Sequence, residues 1–358
     1  MAKKKLKVLD LFCGCGGLSE GFKQAGFDIV MGIDINQKAI DTYNLNFGRG
    51  KGVCCDLLDY GQEDIIKSSA MRKGVNIIIG GPPCQGFSAA NRWEDETKDV
   101  RNKLFFEYVK FVDLLKPDAI VIENVRQILT NNNGYAKEKI YQIFESRGYQ
   151  VNHCVLNAED YGVPQKRRRN FFVGLKTEKF DFSILQKTEH YNTVKEAIGD
   201  LYAFEPNKSG EYPGTTPTNS YLEYVRDTPI IKNHYISYPS KSTQEKISYV
   251  PQGGNWENIP PELFKTIRNN RHSSAFKRLK EDDQSVTIDT GNAHSNYFHP
   301  LFNRIPTVRE AARLQSFPDS FVFLGSKSDQ YKQVGNAVPP LMAKALAKAI
   351  MKVIYNEK

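Results

Sequence analysis

The chain has 358 residues, 40% hydrophobic and 25% charged, with 49 Lys and Arg against 41 Asp and Glu for a formal charge of +8. This composition excludes a disordered tail, a collagen-like repeat and a disulfide miniprotein, and no apolar run reaches the ~18 residues of a membrane span. The six cysteines, at 13, 15, 54, 55, 84 and 154, stop at residue 154, the wrong distribution for an extracellular disulfide framework, so a reduced, cytoplasmic protein is expected.

In chain order, Leu6–Phe12 reads as a buried strand and Leu18–Ala25 as a helix stopped by Gly26. Ile29–Ile33 is a second apolar run, ending at Asp34. Val75–Ile79 is short and rich in β-branched residues, and stops at Gly80-Gly81-Pro82-Pro83. Asn102–Leu115 carries Leu104, Tyr108, Val112 and Leu115 at helical spacing, and Pro117 follows its end. Ala119–Ile122 is another apolar run, Gln150–Leu156 alternates, and Phe171–Leu175 completes the series. Strand–helix alternation with continuous apolar strands implies an α/β fold whose parallel sheet is covered on both faces, with ligands beyond the carboxyl ends of its strands. Between about 183 and 300 the texture turns to Ser, Thr, Asn, Tyr and Pro, and periodicity fades. Helical patterning returns at Arg304. Thr307-Val308-Arg309-Glu310 has the form of a helix cap, and Ala337–Tyr355 reads as a last helix with Pro339-Pro340 in its first turn.

The chemistry-bearing residues gather at the strand ends. Asp10-Leu11-Phe12-Cys13-Gly14-Cys15-Gly16-Gly17-Leu18 is a glycine-rich strand-to-helix turn, which lets a ligand approach the backbone. Ser19 stands where the third glycine of a dinucleotide fingerprint belongs. A tight turn of no further purpose is the plainer reading of this cluster alone. Asp34 is placed to grip ribose hydroxyls, and Asp56 is expected to end a third strand and accept from an adenine amino group. These features favour a nucleoside-bearing cofactor without separating nicotinamide from S-adenosylmethionine. Cys84 follows a strand end in a loop stiffened by two prolines, where a thiolate nucleophile is a better reading than a buried structural cysteine; the other five cysteines read as structural. Glu123 directly follows an apolar strand, so a partly desolvated carboxyl with a raised pKa is expected. In Gln165-Lys166-Arg167-Arg168-Arg169, alternation points Gln165, Arg167 and Arg169 one way and Lys166 and Arg168 the other, one face toward the site and one toward DNA phosphates. A solvated charge run is the alternative there.

Taken together these residues resemble the bacterial-type DNA (cytosine-5)-methyltransferase family. The blocks stand in the family's order: Phe12–Gly17, Asp34, Asp56, Pro82-Pro83-Cys84-Gln85, Glu123-Asn124-Val125, Gln165-x-Arg167-x-Arg169, Arg309-Glu310-Ala311-Ala312-Arg313-Leu314-Gln315 and Gln333-Val334-Gly335-Asn336-Ala337-Val338-Pro339. The resemblance implies a Rossmann-like S-adenosylmethionine-dependent methyltransferase domain with a mixed, mostly parallel sheet over 1–182 and 304–358. Residues 183–303 would form a smaller, loop-rich target-recognition domain, with Tyr221, Tyr224, Arg268 and Arg271 suited to base readout or merely to holding that domain together.

The implied reaction is methyl transfer to C5 of a flipped-out cytosine in a specific double-stranded DNA sequence. Cys84 would bond to C6, Glu123 would serve N3, and Arg167 and Arg169 would steady the base, Arg167 with the stronger claim to the pyrimidine. Phe12, Gly14, Gly16, Gly17, Leu18, Asp34, Ile35, Asp56, Leu57, Pro83, Asn336 and Val338 would surround S-adenosylmethionine, which leaves as S-adenosylhomocysteine; no metal is implied. Gln85, Ser88, Asn91 and Arg92 lie in the family's mobile loop and, with Gln165 and Arg168, would face DNA. The usual setting is a restriction–modification system whose endonuclease acts on the same site without binding this chain, which would work as a monomer off the membrane. An RNA cytosine-5 methyltransferase and a non-catalytic DNA-binding relative are the alternatives; Ser19, Cys84 and Glu123 disfavour a nicotinamide oxidoreductase.

Overall fold

Only strands covered on both faces can be apolar at consecutive positions, and the apolar runs become the strands of one sheet. The computed structural model describes residues 5–83, 100–130, 134–204, 216–264, 276–290 and 297–356. Its first part runs β1 (Lys7–Leu11), α1 (Gly17–Gln24), β2 (Asp28–Asp34), α2 (Gln37–Phe47), β3 (Gly52–Cys54), α3 (Tyr60–Lys73), β4 (Ile77–Gly80), α4 (Val100–Leu115), β5 (Ala119–Asn124), α5 (Tyr135–Glu145), β6 (Gln150–Asn157) and β7 (Arg168–Leu175). The order continues through α6 (Val194–Ile198), α7 (Ser220–Val225), α8 (Lys241–Ser248), β8 (Lys277–Arg278), β9 (Tyr297–Phe298), α9 (Val308–Leu314), α10 (Lys327–Asn336) and α11 (Pro340–Ile354).

Among the described residues seven strands form the main sheet in the order β3-β2-β1-β4-β5-β7-β6. Strands β1 to β5 pair in parallel, while β7 is antiparallel to both neighbours. Residues 158–167 are all that join β6 to β7, too few for the crossover that parallel pairing needs. The sheet is therefore mixed and mostly parallel, as the family resemblance implies. The order reverses between β1 and β4, the switch point where such sheets open a ligand crevice. The loops leaving those two strands are the glycine-rich turn and Gly80–Pro83.

One sheet face is sealed by a core in which Leu9, Leu11, Ile78, Ile120 and Ile122 meet Phe105, Phe111 and Phe144 of α4 and α5. Tyr108 of α4 donates its buried hydroxyl to the carbonyls of Ile78 and Val121 at 3.0 and 3.2 Å. On α1, Gly21 is required by a close helix crossing: a Cβ there would lie 2.6 Å from the Pro340 carbonyl oxygen and the Lys344 nitrogen of α11.

The chain divides into two compact units, residues 1–157, 168–187 and 340–358 in the first and residues 158–167 and 188–339 in the second. This differs from the expected boundaries at 182/183 and 303/304. The segment 304–339 belongs with the second unit because its charged side chains are bonded there. Arg313 of α9 reaches Asp319, Asp200 and the Ala197 carbonyl at 2.6–3.1 Å, and Arg309 donates to the carbonyls of Lys232, Pro318 and Phe321. The Thr307–Glu310 capping box forms as expected. Tyr221 is 3% exposed and donates to the Arg313 carbonyl, and Tyr224 donates to the Ser316 carbonyl at 2.9 Å. These two tyrosines hold the unit together and are not presented for base readout; Arg268 and Arg271 lie outside the described residues. No described helix is long and apolar enough to cross a membrane.

Candidate active site

The turn after β1 is built by backbone that few residues adopt. Phe12 has φ 61°, Gly14 φ 53° and Gly16 φ 100°, left-handed conformations in which glycine is unstrained. The Gly16 N–H closes the turn on the Cys13 carbonyl at 2.9 Å, and the Cys13 N–H ties it to Ile33 of β2 at 3.0 Å. Asp34, at the end of β2, accepts from the Gly14 N–H and the Asn36 N–H through its two carboxylate oxygens, each at 2.8 Å. Burial pushes the Asp34 carboxyl up, and those backbone donors pull it partly back. A Cβ at Gly14 would meet nothing within 4 Å, so this backbone lies open. Beside it Ile35 is 67% exposed, and Asp56 is exposed while its carboxylate accepts from the Leu58 N–H at 2.9 Å. Leu57 is buried. Open glycine backbone, a bare apolar side chain and two strand-end carboxylates fit an adenosine carrying a ribose diol.

The second cluster lies at the ends of β4, β5 and β7. Glu123 pairs opposite Phe171 across the antiparallel ladder, which places Arg169, two residues along β7, on the same face. The Arg169 Nε lies 2.9 Å from Glu123 Oε1, with side chains 18% and 16% exposed. The pair ties the end of β5 to the start of β7 and shields most of both side chains from solvent. Glu123 is also inside β5 rather than beyond it.

The glycines before Cys84 are fitted to this cluster. A Cβ on Gly80 would stand 2.3 Å from the Leu11 carbonyl oxygen, and one on Gly81 would stand 2.9 Å from Glu123 Oε2. Asn124 donates to the Pro82 carbonyl at 2.9 Å. Asn124 thus anchors the backbone at Pro82, and Glu123 lies close against Gly81. Cys84, Gln85, Ser88, Asn91 and Arg92 lie outside the described residues.

Two expectations about the Gln165–Arg169 run are corrected. The alternation is real: Gln165 and Arg167 are buried and Lys166 and Arg168 exposed. However, Gln165 is 0% exposed. Its amide donates to the Leu314 carbonyl and to Gln315, and its oxygen accepts from the Ile288 N–H. It is an internal brace and does not face DNA. Arg167, 1% exposed, donates to the carbonyls of Ile288 and Gly335 at 2.9 and 2.8 Å. Its guanidinium is committed within the second unit, and the arginine paired with Glu123 is Arg169. Asn336 and Val338 also belong to the second unit. Sequence reasoning passed over Asn124 and Gly81 as site residues, although Asn124 adjoins Glu123 and Gly81 stands two residues before Pro83. It also passed over Asp10, a carboxyl between the apolar Leu9 and Leu11 of β1.

The chain is similar to known proteins along nearly its whole length. A profile of the C-5 cytosine-specific DNA methylase family matches residues 6–352. Type II methyltransferase M1.HphI of Haemophilus parahaemolyticus is 41% identical over 354 residues, 98% of this chain and 88% of that protein. Type II methyltransferase M.DdeI of Desulfomicrobium norvegicum is 36% identical over 375 residues, 96% of this chain and 88% of that protein. Among solved structures, a protein described as a DNA modification methyltransferase encoded within an E. coli prophage superposes with a TM-score of 0.77 at 28% identity, covering 98% of this chain and all of that one.

Proposed function

The chain belongs to the C-5 cytosine-specific DNA methylase family, and on that premise we propose how its own residues carry the reaction. It moves a methyl group from S-adenosylmethionine to C5 of cytosine in double-stranded DNA. C5 of an aromatic, amide-like ring is a weak nucleophile. A thiolate adding to C6 converts the ring to an enamine whose C5 carries the electron pair, which divides one hard step into easier ones. Cys84 is that thiolate. It follows in sequence the Gly81–Pro83 segment, where Asn124 bonds the Pro82 carbonyl and Glu123 lies against Gly81. Glu123 faces the pyrimidine N3, where negative charge develops, and with its carboxyl protonated when the base is bound it supplies a proton or a hydrogen bond there. Arg169 holds the Glu123 carboxylate at 2.9 Å and so fixes its position as the base enters.

S-adenosylmethionine, when bound, supplies a methyl group on a positive sulfur that departs as a neutral thioether. Phe12, Gly14, Gly16, Gly17 and Leu18 would give it a backbone cradle, Ile35 and Leu57 an apolar contact, and Asp34 and Asp56 acceptors for its hydroxyl and amino groups. Pro83, Asn336 and Val338 complete the proposed set. After methylation the C5 proton is lost and Cys84 is eliminated from C6, restoring the aromatic ring.

A cytosine stacked in a duplex cannot present both faces to these groups, so it is flipped out at a cost of a few kcal/mol. Gln85, Ser88, Asn91, Arg92 and the exposed Arg168 are assigned to contacts that offset this cost. Residues within 183–303 are assigned to recognition of the flanking sequence. The chain acts as a cytoplasmic monomer, the modification half of a type II system whose endonuclease reads the same site. The observation that carries this reading is the Arg169–Glu123 pair beside Gly81, with Asn124 bonded to Pro82, just before Cys84 in sequence. Bisulfite sequencing of DNA from a host expressing the chain tests it. Protected cytosines within one short sequence are expected, and uniformly converted cytosines would refute it.

A further inference from the structure

Helix N-termini carry a partial positive charge and unpaired N–H groups, and they commonly bind anions. The start of α1 is furnished differently. Its N-cap is Gly16, which has no side chain to cap with, and a Cβ there would stand 2.4 Å from the Phe47 ring. The Ser, Thr, Asp or Asn that usually caps a helix therefore has no room at that position.

The cap comes instead from the strand beneath. Asp10 of β1, 1% exposed, accepts the Ser19 hydroxyl at 2.6 Å and also the Ser19 backbone N–H. Ser19 is the third residue of α1 and is fully buried. With its own proton given to Asp10, its oxygen receives the Tyr43 hydroxyl at 2.9 Å. The Tyr43 ring lies in a slot kept open by glycines: a Cβ would approach it to 3.0 Å from Gly16, 2.4 Å from Gly32 and 3.1 Å from Gly52. Strand β1 and helices α1 and α2 are thus locked together around one buried carboxyl, and Asp34 places a second carboxylate against the same turn.

We propose that Asp10, held by Ser19 and Tyr43, is a charge-selecting positioning residue that suits this helix start to a cationic sulfonium and turns away phosphate-bearing ligands. The proposal rests on the assignment of the glycine turn to S-adenosylmethionine. A full negative charge outweighs the roughly half charge of a helix terminus, so a pyrophosphate meets repulsion where a dinucleotide fold offers attraction. S-adenosylmethionine and S-adenosylhomocysteine differ by one positive charge and one methyl group, so a nearby carboxylate binds the first more tightly than the second.

Burial pushes the Asp10 carboxyl up to about 7, with the Ser19 hydrogen bonds opposing and Asp34 adding to the rise. The other titratable groups facing it are Cys13 and Cys15 of the turn, Tyr43 of α2 and Tyr108 of α4. All four are pushed upward by burial and are neutral near pH 7. The charge at this turn therefore resides on Asp10 and Asp34, and Asp10 gains it as pH rises toward and through 7.

Calorimetric titration of the full chain with S-adenosylmethionine, S-adenosylhomocysteine and ADP tests this without reference to turnover. In the wild type the preference for the sulfonium form should strengthen from pH 5.5 to 7.5, and ADP should not bind at pH 7.5, where Asp10 is charged; ADP binding there as tightly as S-adenosylmethionine would overturn the proposal. Asp10→Asn keeps the size and removes the charge. It should weaken S-adenosylmethionine about tenfold, leave S-adenosylhomocysteine within about twofold, and flatten the pH dependence. Ser19→Ala should shift the preference in the same direction by less. Equal weakening of both ligands in Asp10→Asn would mean a structural cap alone and overturn the proposal. A wild-type preference that does not change with pH would overturn it too, even if no variant folds. A wild type that binds neither ligand would remove the cofactor assignment itself, a different failure from a missing charge preference.

Discussion

Gly81 separates the account's chemistry from its architecture. It does not have a positive φ, so alanine is allowed by its backbone. A Cβ there would sit 2.9 Å from Glu123 Oε2, and ordinary contact begins near 3.4 Å, so the carboxylate must yield by roughly half an ångström. The tip of a glutamate moves easily. An off-rotamer adjustment costs about 1 kcal/mol, which in a unit of this size lowers Tm by about 2–4 °C. Catalysis is less forgiving, because a misplacement of ~1 Å can cost about a hundredfold. Gly81→Ala should therefore fold, bind cofactor normally, and lose about tenfold in the single-turnover methylation rate. Rapid-quench measurement with saturating enzyme, beside a thermal melt, gives both quantities. A rate equal to wild type would refute the placement of Glu123 at the reacting ring. A large loss of Tm would show that the glycine serves the fold. Gly80→Ala is the contrast: its Cβ would meet the Leu11 backbone oxygen at 2.3 Å, which cannot move aside, and it should fail to fold.

The two arginines of the Gln165–Arg169 run should behave oppositely. Arg169→Gln should lower the single-turnover rate by about tenfold or more with little change in stability, whereas Arg167→Ala should cost about 2–4 kcal/mol in denaturant unfolding by stranding two buried carbonyls; the reverse pattern would return Arg167 to the site. The second unit should be acid-sensitive. Burial holds His299 neutral, down to about 3, and the Arg304 guanidinium, bonded to both Glu310 oxygens, overcomes burial to hold Glu310 down to about 2. Both groups bind fewer protons folded than unfolded, so stability is full above pH 6.5, falls as His299 resists protonation below that, and falls again below 4.5. Urea midpoints should drop below pH 6.5, and His299→Gln should flatten that first decline; parallel curves for the two proteins would contradict the assignment. Asp10 works in the other direction, since a carboxyl raised to about 7 adds stability below its unfolded pKa that is lost as pH rises through 7.

Much of the first unit was legible because burial on both faces gives its central strands runs of consecutive apolar residues, and because strand ends carry the polar residues that a crevice needs. The direction of β7 was not, since pairing sense depends on the length of a connection rather than on the strand's own residues. Helices α2, α3 and α5 escaped notice; α3 lacks a clear apolar stripe, and Tyr43 of α2 owes its burial to glycines in three other segments. Gln165 and Arg167 were misjudged for a general reason. A buried polar side chain bonded to backbone carbonyls looks, in sequence, like one that awaits a ligand. Alternation correctly put Gln165, Arg167 and Arg169 on one face but could not tell which partner each would meet. Residues 304–339 were assigned to the wrong unit because the partners of Arg309 and Arg313 are remote in sequence.

The central claim is that the Cys84 sulfur bonds to the ring during methyl transfer. A duplex carrying 5-fluorocytosine at the position located by bisulfite sequencing tests this most directly, because fluorine at C5 cannot leave as a proton does and the adduct persists. With S-adenosylmethionine present, the account predicts a denaturation-resistant protein–DNA conjugate that peptide mass spectrometry maps to Cys84. Methylation of ordinary duplexes without any such conjugate, or a conjugate through another residue, would contradict it.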